Sequence, residues 1–67
     1  MKDHEKLLLE RRRRKLTAWK LAAQAGIDPT TYGKIERGAR QATPDQKLAL
    51  ARALSVEPEQ IFREAKP

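Results

Sequence analysis

The chain has 67 residues, with fifteen Lys and Arg against nine Asp and Glu, a formal net charge of +6 and no cysteine. That length allows one domain with one small core, near the lower limit for folding without staples. The absence of Cys excludes a disulfide framework, a Cys-type zinc finger and a thiol nucleophile. Apolar runs such as Leu7-Leu8-Leu9 are far too short to span a membrane or to form a signal-peptide core.

The charge is unevenly placed. Through Arg40 there are eleven basic and five acidic residues, and from Gln41 onward four of each, so the whole excess belongs to the first forty residues. A segregated basic charge is a footprint for a polyanion, either nucleic acid or an anionic membrane surface. An enzyme is not expected. The one His, His4, sits near a terminus expected to fray, and no phosphate-cradling Gly loop or paired metal ligands appear. No catalytic, cofactor or metal site is therefore expected, and the composition suits a soluble intracellular binding module.

The hydrophobic pattern is helical almost throughout, and start and stop signals divide it into five short helices. The first spans Lys2 or Asp3 to Arg14, with Asp3 and Glu5 at the positive end of its dipole and arginines at the other. Thr17 can cap a second, from Ala18 to Gln24 or Ala25, which Gly26 ends. Asp28-Pro29 is the clearest start signal, opening a third helix that runs to about Arg37 before Gly38. Thr43-Pro44-Asp45-Gln46 repeats the device as a capping box and opens a fourth, to Ala53 or Leu54. Glu57-Pro58 opens a final short helix through Phe62 or Arg63.

At about 100° per residue, Ala18, Leu21, Ala22 and Ala25 share one side of the second helix. Tyr32 and Ile35 point one way from the third, and Thr30, Gly33, Lys34 and Arg37 fall on the opposite arc. Leu48, Ala51 or Arg52, and Ala53-Leu54 supply core from the fourth helix, with Val56, Ile61 and Phe62 closing the bottom. Leu8 or Leu9 must be partly exposed. Trp19 projects away from the Leu21/Ala22 side, either as a cation–π lid over the helix-one arginines or as part of a partner surface.

Two helices joined by a four-residue turn containing Gly form a helix-turn-helix. Ala22 is small where the facing helix must approach closely. Gly26 supplies a left-handed backbone without a Cβ penalty, and Leu21, Ile27, Tyr32 and Ile35 hold the crossing angle. With Leu16-Thr17, Leu21-Ala22, Gly26-Ile27, Lys34-Ile35-Glu36-Arg37-Gly38 and Leu50-Ala51-Arg52-Ala53-Leu54-Ser55-Val56, the chain resembles the lambda-repressor-like, Xre-type helix-turn-helix family from about Leu7 to Phe62. The resemblance implies a compact all-α, five-helix domain that binds operator DNA, usually as a dimer. It also implies that Glu36 pairs with Arg11 of helix one. A single domain over residues 1–67 is expected, with its core at about 7–62 and no effector domain after Pro67.

In this docking mode the third helix enters the major groove. Thr30 and Lys34, one turn apart, are placed for base edges, with Thr31 on the flank and Gly33 allowing close backbone approach. Thr17, Arg37 and Arg40 are placed for phosphates. Much of the run Arg11 to Lys15 is expected to act as a solvated helix end. The chain departs from the family in four places. Ala18 stands where a phosphate-clamping Gln is usual, and Pro29 where a base-reading amide is frequent. Lys15 replaces the usual Gly, and Arg14 an often apolar residue. Direct readout is correspondingly thin, and specificity should lean on Lys34, Thr30 and DNA shape.

The reading is thus a repressor on a near-palindromic operator, cytoplasmic and nucleoid-associated, with double-stranded DNA and a second copy as partners. Val56, Glu57, Gln60 and Ile61 are the expected dimer surface. The alternative is a protein-interaction module, coactivator or antitoxin-like, using Trp19 or the C-terminal helix. A membrane partner is not expected, because helix one lacks a long apolar stripe with anchoring aromatics.

Overall fold

The computed structural model describes residues 1–63. Four α-helices follow one another: α1 (Asp3–Arg13), α2 (Ala18–Ala25), α3 (Pro29–Glu36) and α4 (Pro44–Leu54). The expected fifth helix is instead a single 3₁₀ turn, Pro58–Gln60. It is stopped where consecutive Ile61 and Phe62 both turn inward, leaving them 0% and 2% exposed. No strand occurs among the described residues.

The helix starts are local side-chain chemistry. Thr17 accepts the Lys20 N–H at 3.1 Å, and Asp28 Oδ2 accepts the N–H groups of Thr30 and Thr31 at 3.0 and 3.3 Å. Thr43 and Gln46 cap each other reciprocally, at 3.1 and 2.9 Å. Each satisfies donors that the first helical turn leaves unpaired. The ends share one device. Each helix runs into a left-handed residue (Lys15, Gly26, Gly38 and Ser55), and the next N–H reaches back to the last turn, as Leu16 does to the Arg11 carbonyl at 3.2 Å.

Lys15 therefore explains a departure noted in the sequence. It stands in a left-handed conformation, φ 56°, that glycine adopts without steric penalty. Lys15→Gly should raise stability by about 0.5–1 kcal/mol, read from a thermal or urea melt. An unchanged or lower midpoint would show that the lysine side chain itself stabilises the turn.

α2 packs against both α4 and α3, and α1 against α3. Leu7, Leu21, Ala22, Ile27, Tyr32, Ile35, Leu50, Ala51, Leu54, Ile61 and Phe62 form the buried interior. Two expectations fail here. Leu48 is 46% exposed, because the stripe through Leu50, Ala51 and Leu54 puts it on the far side of α4. Ile61 lies in the core and cannot belong to a dimer surface. Leu9, at 45% exposure, is the leucine of its run left toward water.

Candidate nucleic-acid interface

α2 and α3 are joined by Gly26, Ile27 and Asp28. Gly26 turns the chain at φ 70°, and Ile27 closes over the core at 6% exposure. The inner side of α3 is fixed by Tyr32 and Ile35, both buried. Its outer side carries Thr30 and Lys34, both exposed, with Thr31 and Gly33 half-buried beside them. Arg37 and Arg40 follow, both exposed. Thr30, Lys34, Arg37 and Arg40 are thus all open to solvent, and Arg37 lies back along α3 with its Nη1 3.3 Å from where a Cβ on Gly33 would stand.

Behind this arc lies a clasp between α1 and α3. Arg11 donates from Nε to Glu36 Oε2 at 2.7 Å and from Nη2 to Oε1 at 3.2 Å, and its Nη1 reaches the Leu16 carbonyl at 2.6 Å. The expected Arg11–Glu36 pair is therefore bidentate, with the two side chains only 14% and 16% exposed. The Tyr32 hydroxyl donates to Glu36 Oε2 at 2.6 Å. Glu36 holds the Arg11 guanidinium above its ordinary pKa, burial opposing. Burial, then the hydrogen bond to Glu36 and that carboxylate's charge, push the Tyr32 phenol well up.

The tyrosine hydroxyl is the functional group that the sequence reading missed. Its helical face places Tyr32 in the core and says nothing of where the hydroxyl goes. Its spacing of four residues before Glu36 on one helix was the available signal, since i and i+4 side chains meet.

The remaining arginines behave mostly as helix end. Arg13 and Arg14 pair with Glu10, while Arg12 and Lys15 make no ion pair among the described residues. Thr17 accepts the Lys20 N–H with its hydroxyl oxygen, and its own hydroxyl proton has no partner among the described hydrogen bonds. Asp28 occupies the corresponding N-terminus of α3.

Trp19 is 74% exposed, so the lid over the arginines does not form; among the described residues the cation over a ring is Lys47 over Phe62. His4 also differs from expectation. It is half-buried, with its ring atoms 2.6–2.9 Å from where a Cβ on Gly38 would stand. Glycine there is required both by φ 79° and by the imidazole seated on it.

An exposed polar arc on the second helix of a helix-turn-helix, clamped from behind, defines a DNA-binding module. The helix-turn-helix family pattern matches residues 7–61, and the chain belongs to that family, of the lambda-repressor-like, Xre type. Among solved structures, it is similar to the restriction-modification controller protein C.AhdI from Aeromonas hydrophila. The match has a TM-score of 0.86 and 33% sequence identity, over 90% of this chain and 91% of that one. No curated protein matches. The chain is accordingly a DNA-binding transcriptional regulator. These similarities lend no support to a protein partner at Trp19. Among the described residues no group of His, Asp or Glu is arranged to hold a metal, and no helix is long and apolar enough to cross a membrane.

Proposed function

We propose that the chain is a repressor that binds a near-palindromic operator as a dimer, each copy placing α3 in the major groove of one half-site. Thr30, Thr31, Gly33 and Lys34 meet the bases; Thr17, Arg37 and Arg40 meet phosphates. The observation that carries this reading is the exposed Thr30/Lys34/Arg37 arc on a helix held rigidly from behind by Arg11, Glu36 and Tyr32. The likeness to a restriction-modification controller protein supports restriction-modification genes as the regulated target.

Dimerisation follows from size. One small module on one half-site binds weakly, and two about one helical turn apart supply the remaining affinity. With Ile61 in the core, the partly exposed Val56, Glu57 and Gln60 remain as the proposed contact. No catalytic group, metal or cofactor enters, and the regulator acts at the nucleoid in the cytoplasm.

Selection of bound duplexes from a random pool tests operator symmetry and base preference together. On the selected site, Lys34→Ala should lose about 1–3 kcal/mol and relax preference at one position. Arg40→Ala should weaken all sequences alike. Unchanged affinity and preference in Lys34→Ala would refute the docking of α3.

A further inference from the structure

A cleft of about 420 Å³ opens where the first turn of α1, the loop after α3 and the end of the described chain meet. Four basic side chains line it, Lys2, Arg40, Lys47 and Arg63, against one carboxylate among the described residues, Asp3. None of the four has a carboxylate within ion-pair distance among the described residues. The described ion pairs all involve arginines of α1 and its C-cap instead.

Lys47 has two further peculiarities. Its ammonium is parked 5.7 Å from the centroid of the Phe62 ring, which fixes a cation at the cleft wall. It also lies in the first turns of α4, toward the positive end of the helix dipole, where a cation is disfavoured and an anion is welcomed. Cations that line one cleft repel one another, and an anion joining them relieves that repulsion. Met1 gives the rim an exposed apolar side chain, and the volume falls in the range of about 300–1,000 Å³ usual for small-ligand sites.

We propose that this cleft binds a small organic phosphate. A phosphomonoester brings roughly two negative charges and three acceptor oxygens, enough to engage Lys2, Lys47 and Arg40 together. Its organic body meets the Met1 side chain, which is 70% exposed at the rim of the cleft. Arg40 belongs to the cleft and also to the arc facing DNA. A bound phosphate therefore competes with the DNA backbone for that guanidinium and lowers operator affinity. This second step rests on the placement of Arg40 at a DNA phosphate proposed above.

The probe is phenyl phosphate, titrated calorimetrically into the full chain at fixed ionic strength in chloride. Saturable binding is expected, weakened about tenfold or more in Lys47→Met, the loss set by one charge-assisted contact. Lys20→Met, which removes an equal charge outside the cleft, should bind as the parent does, and melts of both variants check the fold. Absence of saturable binding, or equal weakening in both variants, would overturn the site.

Adding phenyl phosphate to an operator titration at constant ionic strength then tests the coupling. Reduced DNA affinity in the parent, abolished in Lys47→Met, supports it. Binding of the probe with DNA affinity unchanged would overturn the competition at Arg40 and leave the site standing. If the probe does not bind, yet Lys47→Met reduces the salt slope for DNA by about one, the cleft serves the duplex backbone and the proposal fails. If no duplex binds, the operator reading fails, and the calorimetric titration still judges the site.

Discussion

Between about 50 and about 200 mM salt, the affinity of the chain for its operator should fall roughly a thousandfold. The expectation comes from counting cations that can reach the duplex. Lys34, Arg37 and Arg40 are exposed on or just after α3, so two copies bring roughly six to the DNA. Each phosphate neutralised contributes about −0.9 to the log–log slope, giving a value near −5. A single copy would give about half that slope and lose only about fortyfold over the same interval. Titration of the selected duplex across that range therefore reads the number of copies as well as the binding mode. A flat slope would remove DNA binding through this face altogether. A slope much steeper than −5 would show that the arginines at the end of α1 also reach phosphates, despite the pairing of Arg13 and Arg14 with Glu10.

Glu36→Ala is the substitution expected to damage the fold most, by about 3 kcal/mol or more. Three donors converge on that carboxylate: Arg11 through two nitrogens and the Tyr32 hydroxyl. Its removal strands a guanidinium that is only 14% exposed, together with a buried phenol. Small domains have a total stability of about 5 kcal/mol at the low end of the usual range, so a large part would be lost. For a domain of this size the melting temperature should drop by more than about 12 °C. Replacing both partners, as in Arg11→Met with Glu36→Leu, should recover much of the loss, because neither charge is then buried alone. A Glu36→Ala melt within about 1 kcal/mol of the parent would show that α1 and α3 are held by apolar packing instead.

Tyr32→Phe isolates one member of the clasp and should cost about 1.5 kcal/mol, the value of a hydrogen bond to a charged acceptor. It should also change the alkaline limb of stability. The phenol's pKa is raised in the folded protein, so its contribution is fully present below its ordinary value of about 10. It is lost as pH rises through the folded value. Unfolding measured from pH 8 upward should show that decline in the parent and a flatter curve in Tyr32→Phe.

The helix starts were legible because capping is written in neighbouring residues: Thr17, Asp28-Pro29 and Thr43-Pro44 each specify their own turn. The exposed arc of α3 was legible for a similar reason, since 100° periodicity fixes which side faces water once Tyr32 and Ile35 are assigned to the core. What escaped depends on distant contacts. The last element is a 3₁₀ turn because Ile61 and Phe62 both fill the interior, a demand made by the body of the protein. His4 is seated because Gly38, thirty-four residues away, leaves room for its ring. The cationic cleft joins Lys2, Arg40, Lys47 and Arg63, and no local pattern links them.

Gly33 has a consequence beyond close approach to the groove. A Cβ there would stand 3.3 Å from Arg37 Nη1, so the guanidinium lies folded back along the helix in the space a side chain would take. The side chains at positions 33 and 37 are therefore sterically coupled. A larger residue at 33 would displace the guanidinium from this position, and glycine leaves it room to lie along the helix. A substitution at 33 would therefore act twice, on how closely the helix backbone can be approached and on where the arginine one turn later can lie.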